Sequence, residues 1–235
     1  MWARTTMADV AIVYRRPVGV MRHSVKPQPA SGDRAGHPGQ VKLRRFLAHV
    51  DAIAGPVLAG VSGRVVAELI VGFGDGMSLM DGGHALGDYL FPVAQRLGPE
   101  RLAAVFGRKI CGPSSLAVGP AQPDTAAASP QFSARMAGSY ERTQWKQELH
   151  DRLAVQAATI DPGPAGLTIA VTTAPGGNWA SLWKPVIDAF GPVLGEDPTR
   201  PFHPDDDRIV SLGLHHIIDT GIAHDVIIDA WWTGL

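Results

Sequence analysis

The sequence has a single cysteine, Cys111, in 235 residues, so the chain can form no internal disulfide and no cysteine-rich zinc site. Such thiol poverty fits a reducing, cytoplasmic setting. Long apolar runs are missing as well. The best, Ile53 to Val61, is interrupted by Gly55, Pro56 and Gly60 and falls well short of the ~20 residues that cross a bilayer. A secretory hydrophobic segment is also lacking, because Val10 to Val13 is flanked by Asp9 and by Arg15-Arg16. Membrane spans and disulfide scaffolds are therefore excluded as readings. With 45% apolar and 18% charged residues, the chain reads as a globular protein, and its 27 glycines and 19 prolines call for many turns.

The net charge of −1 conceals an asymmetry. Residues 1–50 carry nine Lys and Arg against two acids, a balance of +7, and the remainder carries a balance of −8. A basic arm on an acidic body is the pattern of a protein that meets an anion along one edge. Arg15, Arg16, Arg22 and Lys26 are its candidate contacts.

One unit can be read twice along the chain. Leu90-Phe91-Pro92-Val93 runs on to Gly98, and Trp183-Lys184-Pro185-Val186 runs on to Gly191, with the Pro-Val pairs 93 residues apart. Both read as helices that carry proline and end on a glycine cap. Buried strands precede them at 64–73 and 167–173, and strands follow at 101–110 and 208–217. A further strand closes each copy, at 115–118 and 226–228. Amphipathic helices open them, marked by Val41, Leu43, Phe46, Leu47, Val50 and Ile53, and by Trp145, Leu149, Leu153 and Ala157. A strand at Val10 to Tyr14 leads the first copy. The expected fold is α+β, with two similar α-β-α-β-β lobes formed by tandem duplication, each a small mixed sheet covered by helices. The expected boundaries are 1–118 for the first lobe with its basic arm, 119–139 for a linker, and 140–235 for the second lobe.

The second copy, with Lys184, Asp188-Ala189-Phe190 and then Asp205-Asp206-Asp207-Arg208, resembles the core of the RusA-type Holliday-junction resolvases. Those proteins carry an Asp-x-Asp-Asn-x-x-Lys-x-x-x-Asp-Ala-Leu helix start and an Asp-Asp step into the next strand. The strand leading into Arg16-Pro17-Val18 and the basic loop of Arg22 and Lys26 are similar to that family's opening. The resemblance implies a homodimer-like architecture on one chain, with a pseudo-twofold axis between the copies. Either a monomer with that pseudosymmetry or a homodimer would satisfy it. It further implies phosphodiester chemistry with Mg²⁺, which activates water and offsets charge on the phosphate. The catalytic candidates become Asp206, Lys184 and Asp188, the metal candidates Asp205 and Asp206, and the nucleic-acid contacts gain Arg208.

The departures are equally specific. Counting back from Lys184, the family's Asn and two Asp fall on Ser181, Ala180 and Asn178. In the first copy Ala85 and Gly87 stand where carboxylates belong, and Phe91 stands where the lysine belongs. The expectation is a nucleic-acid-associated protein of RusA-like architecture with a largely degraded nuclease centre. Two alternatives stand beside it: a divergent Mg²⁺-dependent endonuclease using the second acidic cluster, and a non-catalytic structural or adaptor protein.

Other features point to structure. His215 and His216 are adjacent on a strand, so one is expected to face the core and the other solvent. Trp179 and Trp183 share one helix face near Lys184. Gly72-Phe-Gly74-Asp-Gly76 lacks the spacing of a dinucleotide fingerprint and the lysine of a P-loop, and reads as a connector.

Overall fold

A computed structural model describes residues 12–19, 21–22, 25–30, 34, 36–80, 82–138 and 142–235. Strands β1 (Met21–Arg22), β2 (Val65–Phe73), β3 (Leu102–Cys111), β4 (Ser115–Pro120), β5 (Phe132–Met136), β6 (Ala165–Thr173), β7 (Ile209–Ile218) and β8 (Val226–Gly234) form one sheet. Its order is β1-β4-β2-β3-β7-β6-β8-β5. Helices α1 (Pro38–Gly60), α2 (Leu86–Leu97), α3 (Thr143–Gln156), α4 (Trp183–Asp188) and α5 (Gly191–Leu194) complete the α+β chain. Alternate residues of β2 and β6, from Val65 to Phe73 and from Ala165 to Val171, join the buried sides of all five helices in one apolar cluster. A smaller cluster of Val66, Ala103, Ala104 and Phe106 lies apart from it. No helix among the described residues is long and apolar enough to cross a membrane.

The halves do not stand apart as lobes, because β3 and β7 pair antiparallel and make the sheet and its core continuous. Within that sheet the halves are wired alike. β2 is parallel to β3 and antiparallel to β4, while β6 is parallel to β7 and antiparallel to β8. Both parallel pairs slip register after their first residue, between Val65 and Val66 and between Ala165 and Gly166. At the centre, Phe106 pairs with Gly213. A Cβ at Gly213 would sit 3.3 Å from both His215 Nε2 and Thr168 Oγ1, so glycine leaves these side chains their room there. Gly107 does the same on the helical side, where a Cβ would meet Leu90 Cδ1 of α2 at 3.1 Å.

The strand expectations for 64–73, 101–110, 167–173 and 208–217 agree with the structure within a residue or two. Four details differ. The segment 119–139 is more than a linker: Phe132, Ala134 and Met136 alternate inward, and β5 pairs with β8 at the sheet edge. Val10 lies outside the described residues, and Tyr14 makes only an isolated bridge with Pro123. Gly191 opens α5 rather than capping α4, and the positive-φ cap is Gly195 (φ 88°). The two prolines also serve differently. Pro92 lies inside α2, whereas Pro185 is the third residue of α4, in a first turn that needs no amide donor.

Both adjacent histidines are buried, although they lie on opposite faces of β7. His216 stacks on Trp179 with ring centroids 4.9 Å apart, and its Nδ1 accepts from Arg64 Nη2 at 3.0 Å. Its Nε2 therefore carries the proton and donates to Thr173 Oγ1 at 2.9 Å. His215 Nδ1 accepts the Tyr14 backbone N–H at 3.0 Å, on the side where Arg16 lies over Phe106. The N-terminal segment thus covers the position that the sequence assigns to solvent. Burial holds both imidazoles neutral, lowering each pKa to about 3, with Arg16 adding to the effect at His215 and Arg64 at His216.

Candidate functional site

The helices that meet over the centre of the sheet, α2 and α4 with the single 3₁₀ turn before it (Trp179–Leu182), enclose a cleft of about 340 Å³. Its walls are mainly apolar: Ala30, Ala85, Phe91, Ala180, Trp183 and Ile187. Its polar groups are Asp88 from the first half, and Ser181, Lys184, Asp188 and Asp206 from the second. The cleft therefore draws on both halves. Three of its polar groups are the residues that the resemblance selects as catalytic, and Asp88 joins them.

The turn before β7 places Asp206. Residues Asp206–Arg208 form a 3₁₀ turn, and the three consecutive carboxylates diverge from it. Asp207 accepts the backbone N–H groups of Gly83 and His84 at 3.0 and 2.9 Å, tying this turn to the one that precedes α2. The buried Lys109 ammonium donates to the Asp207 carbonyl at 2.7 Å and holds the turn from below. Burial pushes the Lys109 pKa down, against the opposing pull of Asp207, Asp206 and Asp205. Asp206 then points into the cleft. Asp205 lines a separate open cavity of about 640 Å³, with Glu196, His203 and Arg208.

Electrostatics in the cleft follow from crowding. Asp206 is pushed up to about 6, first by burial and then by Asp207, Asp88 and Asp188, with Lys184 opposing. Asp88 is raised by burial and by Asp207 and Asp188, again against Lys184. Burial alone would lower Lys184, but its bond to Asp188 and the charges of Asp206 and Asp88 raise it on balance. Lys184 Nζ donates to Asp188 Oδ1 at 2.9 Å, and Lys146 Nζ reaches Asp188 Oδ2 at 3.4 Å. Asp188 is thereby neutralised by two ammonium groups, which leaves Asp88 and Asp206 as the carboxylates open to a ligand.

The arrangement separates the two residues expected to hold a metal. Asp205 and Asp206 face different cavities, so they do not ligate one ion together. Among the described residues no group of three or more His, Cys, Asp or Glu is gathered for a metal.

The basic candidates also separate. Arg208 is buried and spends one N–H from each of its three nitrogens on the carbonyls of Gly163 (2.8 Å), Leu194 (2.6 Å) and Asp161, which holds its guanidinium inside the fold. Arg16 pairs with the buried Glu68 at 2.5 Å and donates to Ser211 at 3.0 Å. Arg15 lies 3.7 Å from Asp124. The Arg22 side chain lies outside the described residues. Lys26 is exposed, and so are Arg34, Lys42, Arg44 and Arg45, none of them in an ion pair with a described residue. The strip reaches the cleft at Ala30, whose N–H donates to the Asp88 carbonyl at 2.7 Å. Helix geometry would assign that carbonyl to residue 92, and proline there has no N–H to offer.

Sequence reasoning missed Asp88 because it looked for acids at fixed offsets in each copy separately. Its signal was an acidic residue in the first turn of a helix, where the helix dipole favours negative charge. Trp183 and Phe91 were likewise invisible as a pair, since they meet edge to face, 6.3 Å apart, only across the two halves. Compared with protein-family models, curated proteins and solved structures, the chain matches none.

Proposed function

We propose that the chain is an internal duplication of a β-α-β-α-β-β unit with RusA-like architecture, and that it associates with nucleic acid without cleaving it. The duplication is supported by identical strand wiring, by the shared register slip, and by the antiparallel β3–β7 pairing centred on Phe106 and Gly213. On this reading β5 answers β1: each precedes a helix and pairs with the last strand of its own half.

The observation that carries the functional reading is the basic strip of Lys26, Arg34, Lys42, Arg44 and Arg45, exposed and in no ion pair with a described residue, which passes the cleft at Ala30. Exposed cations without an acidic partner among the described residues, on an otherwise acidic chain, suit a phosphate backbone. Cleavage by Asp206, Asp188 and Lys184 has less support, because Asp188 is held by two lysines and Asp205 faces away. The family's other carboxylate positions are Asn178 and Ala180 here.

The test is oligonucleotide binding by the triple variant Lys26→Ala, Arg44→Ala, Arg45→Ala. With single strands, loss of three phosphate contacts should flatten the slope of log affinity against log salt by about 2. An unchanged slope would place the phosphate contacts elsewhere, and absence of binding by the unaltered chain would end the reading.

A further inference from the structure

We propose that the cleft between α2 and α4 binds a small organic cation, an ammonium group on a flat apolar body, with its charge against Asp88 and Asp206 and its body against Phe91. The inference goes beyond the nucleic-acid reading and does not depend on it. Three observations carry it.

The first is the cavity itself. Its volume, about 340 Å³, lies at the small end of the range in which proteins hold small molecules. Ala30, Ala85, Ala180 and Ile187 line much of it, and such walls favour a carbon body. A hydrated inorganic ion would gain little from them. Its few polar groups converge on one space, the arrangement that fixes the orientation of a small ligand.

The second is an aromatic surface left open on that space. Phe91 is 37% exposed on α2, a helix whose other large apolar residues, Leu86, Tyr89, Leu90 and Val93, are buried. Its ring partner is Trp183 from the other half, edge to face at 6.3 Å. A flat apolar group can lie against the exposed part of the ring, and the ring face attracts a cation as well.

The third is charge without a counter-charge. Lys184 and Lys146 are both committed to Asp188, and neither Asp88 nor Asp206 is in an ion pair with a described residue. Burial and the neighbouring acids push Asp206 up to about 6 and raise Asp88 too, so the cleft resists its own ionisation. A bound cation supplies the charge that is missing. An anion would meet two carboxylates, and a neutral body would gain the apolar contact alone.

The experiment titrates the full chain with three probes that share one aromatic body: 2-phenylethylammonium, 2-phenylethanol and phenylacetate. Binding is followed by nuclear magnetic resonance through the backbone amides. At pH 7 the ammonium should bind about tenfold more tightly than the alcohol, as a charged hydrogen bond exceeds a neutral one, and phenylacetate should bind most weakly. The shifts should centre on Ala85, Gly87 and Ser181. Asp206→Asn and Asp88→Asn should each narrow the gap between ammonium and alcohol, whereas Phe91→Ala should weaken both probes alike. In the unaltered chain the gap should also shrink severalfold from pH 7 to pH 5, as Asp206 takes up its proton. Equal affinities for ammonium and alcohol at pH 7 would overturn the selection for charge. A gap that survives both aspartate variants, or is unchanged at pH 5, would overturn its placement on these carboxylates. No shift at the cleft with any probe would remove the site and leave oligonucleotide binding unaffected.

Discussion

The backbone N–H of Ala30 donates to the carbonyl of Asp88 at 2.7 Å, on the helix turn that Pro92 leaves without its own donor. A proline inside a helix costs about 3 kcal/mol in an unsupported setting. Here the break has a use: it anchors the segment that carries Lys26 and Arg34 to the wall of the cleft.

Pro92→Ala should reverse that arrangement. Alanine restores a helical donor to Asp88 and competes with Ala30. The Ala30 amide should then exchange with solvent about fivefold faster, equivalent to losing one hydrogen bond of ~1 kcal/mol. Exchange measured by nuclear magnetic resonance would settle the matter, and unchanged protection at Ala30 would count against the anchor.

Asp206 sits in the cleft at a cost. Its carboxyl titrates near 6, above the ~3.9 of a free aspartate, so ionising it at neutral pH opposes folding. Asp206→Asn should stabilise the protein at pH 7 by roughly 1–2 kcal/mol, after allowing for screening on its open side. The gain should disappear below about pH 4, where both states hold the proton. Thermal unfolding should show a rise of roughly 2–8 °C for a chain of this size. A destabilised Asp206→Asn at pH 7 would mean that the carboxylate has a structural partner.

His215 and His216 act with the opposite sign. Each is held neutral in the fold, with its pKa near 3, against about 6.5 when unfolded. Their stabilisation is complete above about pH 6.5 and is lost as pH falls towards 3, at about 1 kcal/mol per pH unit for each. Replacing either with Gln should flatten the decline of the urea midpoint between neutral and acid pH. Equal slopes in variant and parent would show that other groups govern the acid limb.

Arg208→Met should cost about 3 kcal/mol or more, because it strands the carbonyls of Asp161, Gly163 and Leu194 in a buried site. The folded fraction should keep its full affinity for oligonucleotides. A loss of affinity at unchanged stability would return Arg208 to the binding surface.

How far the sequence could be read depended on where the deciding contacts lie. β2 and β6 were legible because they are buried on both sides and read as runs rich in β-branched residues, and β3 and β7 as the mainly apolar stretches that follow the helices. The repeated order of elements was legible for the same reason. What joins the halves was not: the β3–β7 pairing brings together residues such as Ala104 and His215, and no local pattern announces a partner that far along the chain. β5 hid in a stretch rich in small residues, where only Phe132 and Met136 signal an inward side. In the site, Asp206, Asp188 and Lys184 were found, and they do share a cleft. Asp205 and Arg208 were misplaced because the turn at 206–208 is 3₁₀ rather than extended, so neighbouring side chains leave it in different directions. Arg16 was read as a free cation, and its partner Glu68 lies in a strand whose neighbours are otherwise apolar.

The nucleic-acid reading can be tested most directly by measuring the affinity of the full chain for a single-stranded oligonucleotide across about 50–200 mM salt. The basic strip predicts a steep linear fall of log affinity with log salt, shallower in the Lys26, Arg44 and Arg45 variant. A flat profile, or no association at the lowest salt, would contradict it.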